Sequence, residues 1–229
     1  MTKPKSNVDI AYARLHKMAV NFEFKPEERL NESALSIRLS ISRTPLREAL
    51  NRLVAEGLLT FKNGRGFFCR ALSPARIHDL YEARAAVESE ALLRAISRAT
   101  DGKIASVVTY LDQTEADYDT CENLTELLEV DVEFHRRLAE LSNNGELLRM
   151  LENLNDRIRY VRLINLQLLR ADKSPPATRL SAHRTIMNHV ARRDSDAAIA
   201  ALRAHIEQRG EEITEAVRIA YSQLYVPSV

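Results

Sequence analysis

Cysteine is scarce: the 229 residues hold two. Cys69 and Cys121 are too few and too far apart for a disulfide framework or a cysteine metal site. They are expected to be small apolar fillers in a reducing cytoplasm. No run of about 18 apolar residues occurs, so no transmembrane helix and no membrane partner are expected. The opening Met-Thr-Lys-Pro-Lys-Ser-Asn lacks the apolar core of a secretory signal. Beyond Pro74 there is no alternating strand pattern and no internal repeat.

What is present is the composition of an ordinary soluble globular protein, 45% hydrophobic and 28% charged. The net charge of +1 hides an asymmetry. Residues 1–72 carry 13 Lys/Arg against 7 Asp/Glu, and the remainder carries 20 against 25. A small basic part joined to a larger acidic one implies that only the first part meets a polyanion.

The first 72 residues read as helix, helix, turn, helix, hairpin. Ala11, Leu15, Met18 and Phe22 recur at helical spacing. Leu35 and Leu39 mark the inner face of a short second helix. Ser40-Ile41-Ser42 is a turn with Ser42 as N-cap, and Pro45 falls in the first turn of the third helix, where its missing N–H is harmless. Leu46, Leu50 and Leu53 form that helix's buried stripe, and Gly57 ends it in the left-handed conformation. Asn63-Gly64 joins two short apolar runs as a hairpin. This order is that of a winged helix-turn-helix.

Arg43, Thr44 and Arg47 occupy the start of the third helix, opposite its leucines. A recognition helix turns such N-terminal residues toward base edges in the major groove. Arginine grips guanine bidentately there, while a hydroxyl bonds phosphate or base. Arg65, beside Gly66 at the hairpin tip, suits a wing, and Arg38 on the second helix suits a phosphate contact. Each charge alone could be a solvated surface group. The turn, the cap, the basic cluster and the Gly-Arg-Gly tip together point to DNA.

The rest, residues 73–229, reads as six antiparallel helices: 74–99, 101–122, 124–142, 144–171, 176–193 and 195–222. Asp131 and His135 lie four apart on an apolar stripe, where unpaired burial is costly. They suit either a helical hydrogen bond or two ligands to one ion. His183 shares a stripe with Met187 and Val190, and His205 lies near Leu202; each alone could be a core histidine. One carboxylate and three imidazoles suit zinc, nickel or a similar divalent ion. Arg84 lies on the inner stripe of the first of these helices and needs an anion, either Glu88 or an effector carboxylate. Arg157 and Tyr160 are further effector candidates.

The segments Ser42-Arg-Thr-Pro-Leu-Arg-Glu-Ala-Leu50, Leu53-Val-Ala-Glu-Gly-Leu-Leu59 and Gly64-Arg-Gly-Phe-Phe68 closely resemble the GntR family of bacterial regulators. The helical remainder resembles the family's FadR-type effector domain, FCD. Six C-terminal helices would be closer to the VanR-type subgroup. Ser40 departs from the glycine usual in the turn, and Ser33 stands where FadR has a DNA-contacting arginine. The resemblance implies a homodimer on pseudo-palindromic operator DNA, and repression relieved by a small carboxylate. The Asp, His, His and His of metal-binding FCD domains match Asp131, His135, His183 and His205. The resemblance also sets the Arg84 to Glu88 stretch near the effector cavity. Two other classes fit the sequence less well. A metal hydrolase lacks a general base or nucleophile motif beside the ligands, and a bare protein-interaction bundle leaves Ser42–Leu50 unexplained.

Overall fold

The computed structural model describes residues 6–171, 178–207 and 213–225. The chain divides into two compact units, residues 1–73 with 220–229, and residues 74–219.

The first unit contains α1 (Asn7–Val20), α2 (Glu32–Leu39), α3 (Arg43–Ala55), β1 (Leu59–Lys62) and β2 (Gly66–Cys69). α1 starts with a capping box between Ser6 and Asp9, and α2 with the side chain of Asn31 accepting from Ser33 and Ala34. Helices α1 and α2 pack on α3. Ala11, Leu15, Leu35, Leu39, Leu46, Leu50 and Leu53 form the core between them. Ser42 is the N-cap of α3, but its side chain makes no capping hydrogen bond. The third helical residue is Pro45, which has no N–H to offer. α3 stops in a Schellman motif: Leu58 N–H donates to Leu53 O, Gly57 N–H donates to Val54 O, and Gly57 takes φ 73°.

The hairpin pairs Leu59 with Cys69 and Lys62 with Gly66, leaving Asn63, Gly64 and Arg65 as its loop. Gly64 and Gly66 both have positive φ, which accounts for two glycines around Arg65. A bridge between Arg29 and Phe68 brings the segment before α2 onto β2, a pairing the sequence pattern did not suggest. Arg70 is buried and donates to the carbonyls of Ala19 and Val20, closing the end of α1.

The second unit is helical: α4 (Pro74–Arg98), α5 (Asp101–Thr120), α6 (Leu124–Glu140), α7 (Gly145–Ala171), α8 (Thr178–Ala191) and α9 (Ser195–Glu207), followed by the start of α10 (Ile213–Tyr225). α4 lies against α6, α7 and α9, and α8 lies against α5 and α9. The sequence reading takes residues 195–222 as one helix; the described residues are helical over Ser195–Glu207 and Ile213–Tyr225, and the interval 208–212 between them lies outside the described residues. The expected break at Ser174–Pro176 also lies outside them.

Candidate nucleic-acid interface and metal centre

In the first unit, Arg43 and Thr44 open α3 and Arg47 follows one turn later, all exposed. They line an open concavity of about 460 Å³ together with Glu32, Ser33, Glu48 and Asn51. Gly66 lines a second concavity of about 470 Å³ with Arg29, Leu30, Asn31, Glu32 and Ser33. Arg43 donates to Ser33 Oγ at 3.2 Å, and Arg47 Nε lies 3.4 Å from Glu32 Oε2. Arg38, near the end of α2, pairs with Glu23 at 3.3 Å. Arg65 is exposed at the hairpin loop, with its guanidinium 5.7 Å from the Phe68 ring. These side chains are held by weak, solvent-exposed contacts that phosphates can replace. Glu32 and Asn51 were not singled out from sequence. Asn51 is exposed one turn beyond Arg47, and that spacing was the available signal.

In the second unit, α6 supplies Asp131 and His135, α8 supplies His183 and α9 supplies His205. Their exposures are 2%, 1%, 1% and 8%. One ligand atom from each lies within 4.8 Å of all the others. His183 Nε2 and His205 Nε2 face each other at 3.1 Å. His183 Nε2 lies 3.5 Å from Asp131 Oδ1, and His135 Nε2 lies 3.8 Å from Oδ2. Phe134 stacks on the His183 ring at 4.1 Å between centroids, fixing its plane.

Glu88 of α4 completes the surroundings. Its Oε2 lies 2.6 Å from His135 Nδ1, and its Oε1 accepts from Arg84 Nε at 2.5 Å. Burial pushes the Glu88 carboxyl up, but Arg84 and His135 outweigh it and hold the pKa at about 2. Glu88 is therefore a pure acceptor, the proton of this bond lies on His135 Nδ1, and Nε2 is left for the cluster. Metal-bound imidazoles are commonly oriented by such an outer carboxylate. The donor set fits a divalent ion. Two imidazole nitrogens this close, beside a buried carboxylate, are favourable only with a proton or cation between them.

Arg84 is buried and engaged by Glu88, the internal pairing weighed from sequence. Arg157 and Tyr160 are half-buried on α7. Sequence reasoning missed Arg162. It is 1% exposed on α7, and its Nη2 donates to Asp131 Oδ2 while its Nη1 donates to Asn155 Oδ1 at 3.4 Å. An arginine among the leucines and isoleucines of α7 was the signal. It could not be matched to Asp131, 31 residues earlier, without the packing of α6 on α7.

Comparison with known proteins places these features. The model for "Bacterial regulatory proteins, gntR family" matches residues 8–69, and that for the FCD domain matches residues 79–208. The "Nta operon transcriptional regulator" of Aminobacter aminovorans is 41% identical over 91% of this chain and 95% of its own. The "HTH-type transcriptional repressor RspR" of Escherichia coli (strain K12) is 29% identical over 90% of this chain and 87% of its own. Among solved structures, E. coli McbR/YncC shares the fold with a TM-score of 0.68 and 21% identity, covering 96% of this chain and 99% of that one.

Proposed function

Since this chain belongs to the GntR family of bacterial regulatory proteins and carries an FCD domain, and is thus a DNA-binding transcription regulator rather than an enzyme, we propose that it is a homodimeric repressor released by a small carboxylate bound at a metal site in the helical unit. The repressor named among its relatives supports the sign of regulation. No helix among the described residues is long and apolar enough to cross a membrane, in keeping with a cytoplasmic regulator.

On the DNA side, the exposed heads of Arg43, Thr44 and Arg47 enter the major groove. Arg65 with Gly66 forms the wing contact, and Arg38 meets phosphate. On binding, Arg47 exchanges Glu32 for a base edge. Two copies reading a pseudo-palindrome follow from the symmetry of such operators.

The single observation behind the sensing half is the convergence of Asp131, His135, His183 and His205 on one buried point. These four residues would hold zinc, or nickel or another transition metal. Such an ion would supply Lewis acidity toward an effector carboxylate. Glu88 orients His135, Arg162 positions Asp131, and Arg84 offers the remaining cationic group for the effector. The ligand acts only through different affinities for the operator-binding and released states.

Equilibrium dialysis followed by metal analysis tests this reading. The wild-type chain is expected to retain one divalent ion per protomer. His183→Ala should lose it while still shifting operator DNA in a gel. Full metal content in His183→Ala would remove His183 from the ligand set.

A further inference from the structure

Several exposed arginines of the first unit rest on a neighbour. Arg38 pairs with Glu23, Arg43 donates to Ser33, Arg47 lies against Glu32, and Arg52 pairs with Asp9. Arg29, Lys62 and Arg65 are exposed too, but have no carboxylate partner among the described residues.

Strand pairing sets these cations on one face. Leu30 N–H donates to Phe67 O and Cys69 N–H donates to Glu28 O, each at 2.9 Å. The two bonds flank Arg29 and Phe68, which stand directly opposite each other. Opposite residues of an antiparallel pair project from the same face, and their side chains are closest where the bonds flank them. Phe68 is in turn opposite Thr60, and Lys62 lies two residues further along that strand, on the same face. Lys62 Nζ is 4.6 Å from the Phe68 ring centroid, and the Arg65 guanidinium is 5.7 Å from it. Phe68 is therefore buried beneath a basic face made by Arg29, Lys62 and Arg65. Arg29 also lines the concavity of about 470 Å³ with Asn31, Glu32, Ser33 and Gly66. That concavity shares Glu32 and Ser33 with the one lined by Arg43, Thr44 and Arg47, so the basic face adjoins the start of α3. Glu32, the acidic residue between them, lies 3.4 Å from Arg47.

We propose that Arg29 and Lys62 each hold a backbone phosphate of the operator, beside the wing contact of Arg65. The inference rests on the DNA-binding reading above and adds two residues to it. Like charges gathered on one small sheet face repel each other, and a polyanion offsets that repulsion. Duplex DNA carries one negative charge per about 1.7 Å of axis, so neighbouring cations find separate phosphates. Arg29 makes its bridge through backbone atoms, which leaves its exposed side chain available to a ligand. A phosphate contact carries no base information. Its loss weakens binding to every sequence alike and reduces the number of counterions released. Arg29 precedes α2 and belongs to neither α3 nor the hairpin, and only the bridge to Phe68 brings it to this face.

The test is the salt dependence of duplex binding by the full-length protein, followed by fluorescence anisotropy. The probes are a duplex that wild type enriches from a random-sequence pool and a scrambled duplex of equal length and composition. Arg29→Gln and Lys62→Gln are each expected to weaken binding of both duplexes by about three- to tenfold at low salt. Each should flatten the slope of log affinity against log salt by about 0.9, with the ratio between the duplexes unchanged. Arg29→Lys should keep the wild-type slope, because a phosphate needs a charge rather than a fork. Lys103→Gln, which removes an exposed charge from the second unit, should keep it too. An unchanged slope in Arg29→Gln or Lys62→Gln overturns the assignment of that residue. An equal flattening in Lys103→Gln would trace the effect to net charge and overturn the proposal. A loss confined to the enriched duplex would make these residues base readers, which also overturns it. A fall in melting temperature shared by Arg29→Gln and Arg29→Lys would mark Arg29 as structural and overturn its assignment. If wild type enriches no duplex from the pool and binds none, the DNA-binding reading itself falls.

Discussion

In the proposed reading Arg47 serves two partners in turn, Glu32 and a base edge. Its guanidinium rests against Glu32 at 3.4 Å, more than half exposed, a contact worth little in water. A bidentate grip on a base is worth about 1–3 kcal/mol of discrimination. Arg47→Ala is therefore expected to weaken operator binding by about that amount and to relax specificity at one base position, as read by titrating wild-type and substituted operators. Unchanged affinity on the intact operator would remove Arg47 from the reading set. Such exposed residues were legible in the sequence, because their face is set by helical spacing against Leu46, Leu50 and Leu53. Glu32 was not, since nothing local announces which carboxylate an exposed arginine will rest on.

At the scale of elements, the turn between α2 and α3 carries a small penalty. Ser40 adopts φ 54° and ψ 42°, the left-handed region, at the C-cap of α2. A side chain there costs about 1–2 kcal/mol relative to glycine. Glycine loses about 0.4–1 kcal/mol of that through the freer unfolded chain. Ser40→Gly is thus expected to stabilise the protein by about 0.5–1 kcal/mol, visible as a higher denaturant midpoint with an unchanged slope. A lower midpoint would mean that the Ser40 side chain supports the turn. The departure from glycine was legible in the sequence, and so were the stop at Gly57 and the hairpin at Asn63-Gly64. The missing side-chain cap at Ser42 follows from Pro45 and could have been read too.

For the whole molecule, the proposed sensing role would be linked to DNA binding only through free energy. If a carboxylate lowers operator affinity by some factor, the operator must lower carboxylate affinity by the same factor. Titrating the acid into zinc-loaded protein, with and without saturating operator, should return equal factors from both directions. An acid bound equally well in both cases would be a ligand without a regulatory role. The sequence by itself determined most of the helices, the stop at Gly57, the hairpin, the uneven charge and the placing of Asp131 and His135 on one helix face. Those features depend on backbone geometry within a few residues, where spacing alone decides which side chains share a face. Only the tertiary structure decided how the charges are used inside: Glu88 between Arg84 and His135, Arg162 on Asp131, and Asn165 left unsatisfied. In a closely packed interior, a buried polar group takes its partner from whichever helix lies against it, and that neighbour is set by the packing of the whole unit.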